Sequence, residues 1–132
     1  MDNVIIGLGN CGCQIVKTIA PNPEFNNVEL FAIDSVTSHV TMDDISRVKY
    51  FSIQSDEKQG SGRSRERGAE MFKFHDSNKD FDDIYRECQV AKSPVVVITS
   101  SAGGTGSGSA PHLCHELISR GVYVIPVIIS PN

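Results

Sequence analysis

The sequence predicts a doubly wound α/β fold, with a mainly parallel sheet of about five strands and helices on both faces. Short apolar runs typical of strands begin near residues 4, 28, 48, 94 and 122. Segments with helical spacing of apolar residues lie between several of these runs, and strands that alternate with helices usually form a parallel sheet. The run at 94–99 is apolar throughout, as expected of a parallel strand that is buried on both faces.

The first half of the chain supplies three of these strands. The first is predicted at 4–6 and ends at Gly7, and a helix follows at 11–20, where Pro21 and Pro23 stop it. The second strand is predicted at 28–33 and ends at Asp34. A short helix at 38–45 and a third strand at 48–53 complete this half.

The second half begins with a polar loop at 54–67 and a helix from 65 to about 74. A clearer helix follows, because four apolar residues fall at i, i+3, i+4 and i+7: Phe81, Ile84, Tyr85 and Cys88. After the fourth strand we expect a loop of small residues at 100–109 and then a helix that starts at Pro111 and stops at Gly121. The fifth strand is predicted at 122–129, with the character of a central strand.

Composition excludes several classes of protein. A chain of 132 residues has room for one domain with a hydrophobic core. Its net charge of −4 argues against nucleic acid or an anionic membrane surface as the main partner, and no apolar run reaches membrane-spanning length. Four irregularly spaced cysteines do not form a disulfide framework, so we expect a cytoplasmic protein with reduced thiols.

Two glycine-rich segments point to phosphate binding at one edge of the sheet. One is GLGNCG at 7–12, after the first strand, and the other is GGTGSG at 103–108, after the fourth strand. The carboxyl ends of parallel strands share one edge, and glycine lets backbone N–H groups approach an anion there. Each segment also leads into a helix N-terminus, which favours negative charge. A third segment with Gly60 and Gly62 follows the third strand.

A dinucleotide site is the main alternative from the residues alone. The spacing G-x-G-x-x-G after a strand fits it, and Asp34 stands where an acidic residue would bind an adenosine ribose. Asp34 also suits the cap of a helix that begins near Thr37. A Rossmann-type NAD-binding module would use residues 7–12 and Asp34, but it leaves the second glycine-rich segment without a purpose.

The second segment resembles the signature loop of the tubulin/FtsZ family of GTPases, which reads GGGTG(S/T)G, with Ala102 in place of the leading glycine. The first segment, GNCGCQIV, resembles the tubulin sequence GQCGNQIG. VELFAIDSV is similar to the second-strand region of FtsZ, and VIPVIISP to the segment that ends in TKP. The resemblance covers about residues 3–132, in the same order of loops, and the departures from it suggest a distant branch such as a phage or plasmid type.

This resemblance implies a set of ligand contacts. The backbone N–H groups of residues 9–12 would hold a diphosphate, and residues 103–107 would surround the α- and β-phosphates. It assigns GTP or GDP with Mg²⁺ as the ligand, with Asn10 near the metal and Gln14 near the guanine. The residues that we carry over as nucleotide contacts are Gly9, Asn10, Cys11, Gly12, Gln14, Asp34, Gly60, Gly62, Arg63, Ala102, Gly103, Gly104, Thr105, Gly106 and Ser107.

The resemblance also implies that the chain is part of a filament-forming protein. Residues 1–132 would be its nucleotide-binding domain, a fragment without the family's central helix, its acidic loop and its second domain. In the family, the acidic loop of a neighbouring subunit completes the active site. We therefore expect no catalytic residue in this chain, little GTP hydrolysis by it alone, and self-association into filaments in the full-length form.

Two other groups of residues leave alternatives open. His112, Cys114 and His115 share one stretch of predicted helix, where an ordinary amphipathic helix is a simpler interpretation than a metal site. Arg63, with Arg65 and Arg67, forms either a contact to the terminal phosphate or the solvated start of a helix.

Overall fold

The structure, a computed structural model, describes residues 3–34, 47–53, 65–77, 79–102 and 104–130. Its strands are β1 (Asn3–Leu8), β2 (Val28–Asp34), β3 (Val48–Ser52), β4 (Val95–Ser100) and β5 (Val124–Ile129). Its helices are α1 (Gly9–Ile19), α2 (Arg65–Ser77), α3 (Asp82–Gln89) and α4 (Gly104–Ser119), and a 3₁₀ helix spans Pro23–Phe25. The predicted helix at 38–45 lies outside the described residues.

The five strands form one sheet in the order β3-β2-β1-β4-β5, and every neighbouring pair is parallel. β1 lies at the centre, where Ile5 to Gly7 pair with both β2 and β4. This sheet with its helices confirms the α/β fold that the sequence predicts.

Two hydrophobic cores cover the two faces of the sheet. The smaller core packs α1 against the first half of the sheet through Cys13, Val16, Ala20, Leu30, Ala32 and Val48. The larger core joins α2, α3 and α4 to the other face, and it includes a stacked pair of rings, Phe72 and Phe81, whose centroids are 4.8 Å apart. The described sheet therefore has helices on both faces.

Gly7 does not end the first strand as predicted, because β1 continues through it to Leu8 and α1 begins at once at Gly9. Gly7 and Gly12 lie against each other where α1 crosses β1. A Cβ on Gly7 would stand 2.8 Å from Cγ2 of Val16, and a Cβ on Gly12 would stand 2.9 Å from the carbonyl carbon of Gly7 and would overlap the carbonyl oxygen of Ile98. These two glycines allow the helix to pack closely on β1 and β4.

The last long helix also begins earlier than predicted. Residues 104–109 were expected in a loop, but α4 starts at Gly104, so Pro111 lies inside the helix rather than at its start. Tertiary packing overrides local propensity here, because Ser109 is fully buried and its hydroxyl donates a hydrogen bond of 3.3 Å to the carbonyl of Gly68 in α2.

Among the described residues, β5 pairs on one side only, with β4. Its side chains from Ile125 to Ile129 are exposed, Ile128 by 60%. The amide of Val95 donates to the carbonyl of Tyr123, and that of Ser101 donates to Ile129, at 2.8 and 3.1 Å. Since alternate residues of a parallel ladder face the same neighbour, the nitrogen of Pro126 points away from β4, and its missing N–H group costs the β4–β5 ladder no hydrogen bond.

Two helices end in the same hydrogen-bonded motif. After α4, Gly121 adopts φ +83° and donates to the carbonyl of Ile118 at 3.0 Å, while Val122 donates to that of Leu117 at 3.0 Å. This arrangement is a Schellman motif, and it confirms Gly121 as the stop of the helix. After α2 the left-handed position is taken by Lys79, with φ +63°.

Candidate functional site

The amino ends of α1 and α4 meet at the carboxyl edge of the sheet. α1 follows β1 without an intervening residue, and α4 starts four residues after β4 ends. β1 and β4 are adjacent parallel strands, and the two helices contact each other. The chain order also reverses between these strands, which is where α/β proteins bind ligands.

At the first junction, no side chain of the N-cap residue caps the first amides of α1. Leu8 is extended, with φ −113° and ψ 131°, and as the N-cap it has no polar side chain to offer them. Gly9 has φ +72°, a conformation that other residues rarely adopt. Asn10 and Gln14 are exposed, Cys11 is partly exposed, and the other two predicted contacts, Gly9 and Gly12, are buried. The turn can therefore place the first amides of α1 against an anion.

The second junction is built from small residues. The Ser100 hydroxyl accepts a hydrogen bond of 3.2 Å from the amide of Ala102, which turns the chain after β4. Gly104, Thr105, Gly106 and Ser107 form the first turn of α4. Four of the five residues predicted to surround the phosphates, 103–107, thus lie at a helix N-terminus, where amides have no partner within the helix.

Asp34 lies at the edge of the sheet that the sequence predicted, but it is buried. It ends β2 at the same edge, but only 2% of it is exposed, and its carbonyl accepts a hydrogen bond of 2.9 Å from the amide of Ile53. Burial first, and then the nearby Asp34, raise the pKa of the Cys13 thiol, which donates to the carbonyl of Ile33 at 3.6 Å. The contact of Asp34 with a ribose stays a prediction.

Several predicted contacts cannot be placed. Gly60, Gly62, Arg63 and Gly103 lie outside the described residues. Within the described ranges, no group of three or more His, Cys, Asp or Glu residues is arranged to hold a metal ion. Also within those ranges, none of the helices is both long enough and apolar enough to cross a membrane.

Two polar residues of this region, Ser100 and Thr99, are not among the nucleotide contacts that the sequence predicts. Ser100 holds the turn after β4, as described above. Thr99 is 2% exposed, and among the described residues its hydroxyl finds no hydrogen-bond partner. It lines a cavity of about 280 Å³ between α4 and β5, whose walls include Ser107, Pro111 and Ile128. The sequence does not predict this position, because a threonine within an apolar strand can be buried or exposed.

The chain matches one family of proteins over nearly its whole length. The family model described as Tubulin/FtsZ family, GTPase domain, matches residues 3–132. No curated protein matches the sequence significantly.

Solved structures share the fold at low sequence identity. CetZ1 from Haloferax volcanii, a GDP-bound monomer, is 22% identical with a TM-score of 0.78, over 100% of this chain and 42% of that chain. The empty FtsZ dimer from M. jannaschii is 19% identical with a TM-score of 0.79, over 99% and 36%. TubZ from bacteriophage PhiKZ is 24% identical with a TM-score of 0.70, over 97% and 41%. The chain spans less than half the length of these structures.

Proposed function

Because this chain belongs to the tubulin/FtsZ family of GTPase domains, we propose that it binds GTP or GDP at the carboxyl edge of its sheet, between the amino ends of α1 and α4. The observation that carries this proposal is the convergence of two helix N-termini from neighbouring parallel strands, one of them entered through Gly9 with φ +72°. Two such termini suit a ligand with several phosphates.

The residues of the site fit the phosphate part of the ligand. The amides of Gly9 to Gly12 and those of the first turn of α4 would hold the phosphates, with the hydroxyl of Thr105 as a further donor. The exposed Asn10 amide would face a Mg²⁺ ion held mainly by the phosphates, and Gln14 would face the base. CetZ1 from Haloferax volcanii, whose solved structure is a GDP-bound monomer, supports this ligand class.

At the level of the longer protein, we propose a cytoskeletal GTPase that assembles into filaments. Bound Mg²⁺ would neutralise charge that develops on the terminal phosphate. This chain would bind and orient the nucleotide, and a neighbouring subunit would supply the group that positions the attacking water. The protein would then act in the cytoplasm, and hydrolysis would depend on assembly.

The test is a pair of identical substitutions at opposite edges of the sheet. Asn10→Asp adds a negative charge where the phosphates are proposed to lie, so we expect GDP affinity to fall about tenfold or more. Asn27→Asp makes the same change just before β2, at the amino edge, and GDP affinity should stay within about twofold. Both positions are exposed, and an acidic residue in the first turn of α1 favours the helix, so folding is expected to be retained.

Titrations with fluorescent GDP, and competition by GTP, ATP and NAD in the presence of Mg²⁺, measure these affinities. Gly104→Val separates the proposal from the dinucleotide alternative, since it should abolish binding only if phosphates lie at α4. Tighter binding of NAD than of GDP, or equal affinities for the two aspartate variants, would contradict the proposal.

A further inference from the structure

Pro111 divides α4 into two halves with different sources of stability. The half that follows it is fixed in the core, because Leu113 and Leu117 are fully buried and the Schellman motif at Gly121 closes the helix. An ion pair of 2.9 Å between Arg120 and Glu116 lies in its last turn. This half is stable as a helix without any ligand.

The half before Pro111 lacks these supports. Its seven residues, Gly104 to Ala110, include three glycines, two serines and one threonine, which are weak helix formers. Pro111 has no amide hydrogen, so it cannot donate the backbone hydrogen bond that would join the second half of the helix to this one. The intrinsic preference of this half is therefore for an open loop, as the sequence alone also predicted.

The packing beneath this half is also incomplete. The cavity of about 280 Å³, which is partly open to solvent, runs along Ser107, Ala110 and Pro111 on the side of the helix that faces β4 and β5. Because side chains do not fill this space, the half gains less stability from burial than the half after Pro111. On the opposite side, the hydrogen bond from Ser109 to Gly68 attaches the half to α2.

We propose that residues 104–110 are a ligand-ordered segment, which exchanges between an open loop and the first two turns of α4. Anionic phosphates at the N-terminus favour the helical state, because only that state aligns the amides of this segment toward them. Binding and folding of the segment are then coupled, and Pro111 sets the boundary of the transition. This inference rests on the proposed function, and it adds a conformational step to that site.

The coupling lowers the apparent affinity for nucleotide, since part of the free protein has no formed site. Pro111→Ala restores the missing donor at an exposed position, so it should preform the helix. We expect this variant to bind GDP at least about threefold more tightly than the wild type. His115→Ala is the matched control, because it raises helix propensity at an exposed position of the fixed half and should leave affinity within about twofold.

Amide hydrogen exchange measures the transition directly. In the wild type, GDP should slow exchange at residues 107–110 by about tenfold or more, while Leu113 to Leu117 change little. In Pro111→Ala, residues 107–110 should already be protected without GDP. Binding of GDP with no added protection of this segment, or equal affinities for the two variants, would overturn the inference alone. Failure of the wild type to bind GDP would instead refute the proposed function, and the coupling with it.

Discussion

At the scale of single residues, two of the described positions with φ above zero lie where helices end. Gly121 and Lys79 occupy the same place in two Schellman motifs, but only Gly121 is free of a Cβ penalty. The amide of Lys79 donates to the carbonyl of Asp76, and that of Asp80 donates to His75, both at 3.0 Å. The motif at the end of α2 therefore forms in spite of its central residue.

This comparison gives a reciprocal prediction. Gly121→Ala should lower the free energy of unfolding by about 1 kcal/mol, purely through the backbone, since an added Cβ there meets nothing within 4 Å. Lys79→Gly should raise it by about 0.5–1 kcal/mol, because it relieves the same strain. Urea unfolding with unchanged m-values measures both shifts. A stabilised Gly121→Ala or a strongly destabilised Lys79→Gly would show that other contacts dominate these turns.

Sequence reasoning succeeded at residues whose role is local. Gly121 could be predicted because a left-handed helix stop requires glycine wherever it occurs. The role of Gly12 in the close packing of α1 could not be predicted, because it depends on the carbonyl of Ile98 in a strand that is distant in the sequence. The spacing of Asp34 predicts a ribose contact, but its burial could not be predicted, because no short pattern encodes how much of a strand end is covered.

At the scale of elements, α3 shows how burial sets the chemistry of a helix face. Ile84, Tyr85 and Cys88 are all buried, as their helical spacing predicts. Burial raises the pKa of the Cys88 thiol from 9.0 to about 12, with a smaller effect of the neighbouring Glu87. The Tyr85 hydroxyl donates to Asp76 at 2.6 Å, and Arg120 lies 4.2 Å above its ring, so α3 also holds the ends of α2 and α4.

The buried thiol predicts a loss of stability in alkali. The unfolded chain releases the Cys88 proton near pH 9, whereas the folded protein retains it to about pH 12. Between these values the folded state binds more protons, so its stability falls as pH rises, by at most about 1.4 kcal/mol per pH unit for this thiol.

Urea unfolding between pH 8 and pH 10.5 measures this slope, and Cys88→Ala should make it shallower. The buried Cys13 contributes a slope of the same sign, because its pKa is raised as well, so the variant should keep part of the dependence. An identical slope with and without Cys88 would contradict the assignment.

α4 is the element where the sequence prediction failed most, and the reason is physical. A run of glycine, serine and threonine before a proline favours a loop followed by a helix, and only contacts from α2 and the sheet reverse that preference. The exposure of the β5 side chains among the described residues could not be predicted for a related reason. An apolar run predicts a strand, but the run itself does not state how many neighbours cover it.

At the scale of the whole molecule, the described residues form a sheet that is covered unevenly. α1 and the group of α2, α3 and α4 cover the strands from β3 to β4, while the apolar side chains of β5 remain exposed. The arrangement of strands and helices could be predicted from the alternation of patterns along the chain. The extent of covering could not, because it depends on surfaces that are brought together only by the fold.

The proposed division of labour predicts nucleotide binding without appreciable turnover. In that proposal this chain holds the nucleotide, and a neighbouring subunit supplies the group that positions the attacking water. We expect purified chain to release phosphate from GTP slowly, without a rise in rate per molecule when its concentration increases. Phosphate release and light scattering across a concentration series measure this, and rapid turnover that does not depend on concentration would contradict the proposed division of labour.

The order of strands also affects how the chain acquires its structure over time. Every residue of the smaller core lies between Cys13 and Val48, so α1, β2 and β3 can assemble soon after those residues leave the ribosome. The larger core joins Val4 to Val122, and β1 must wait for β4, about ninety residues later, before its second edge is paired. During that interval one edge of the central strand is unpaired and could pair with another chain. Chaperones or slow synthesis would have their largest effect on folding in that interval.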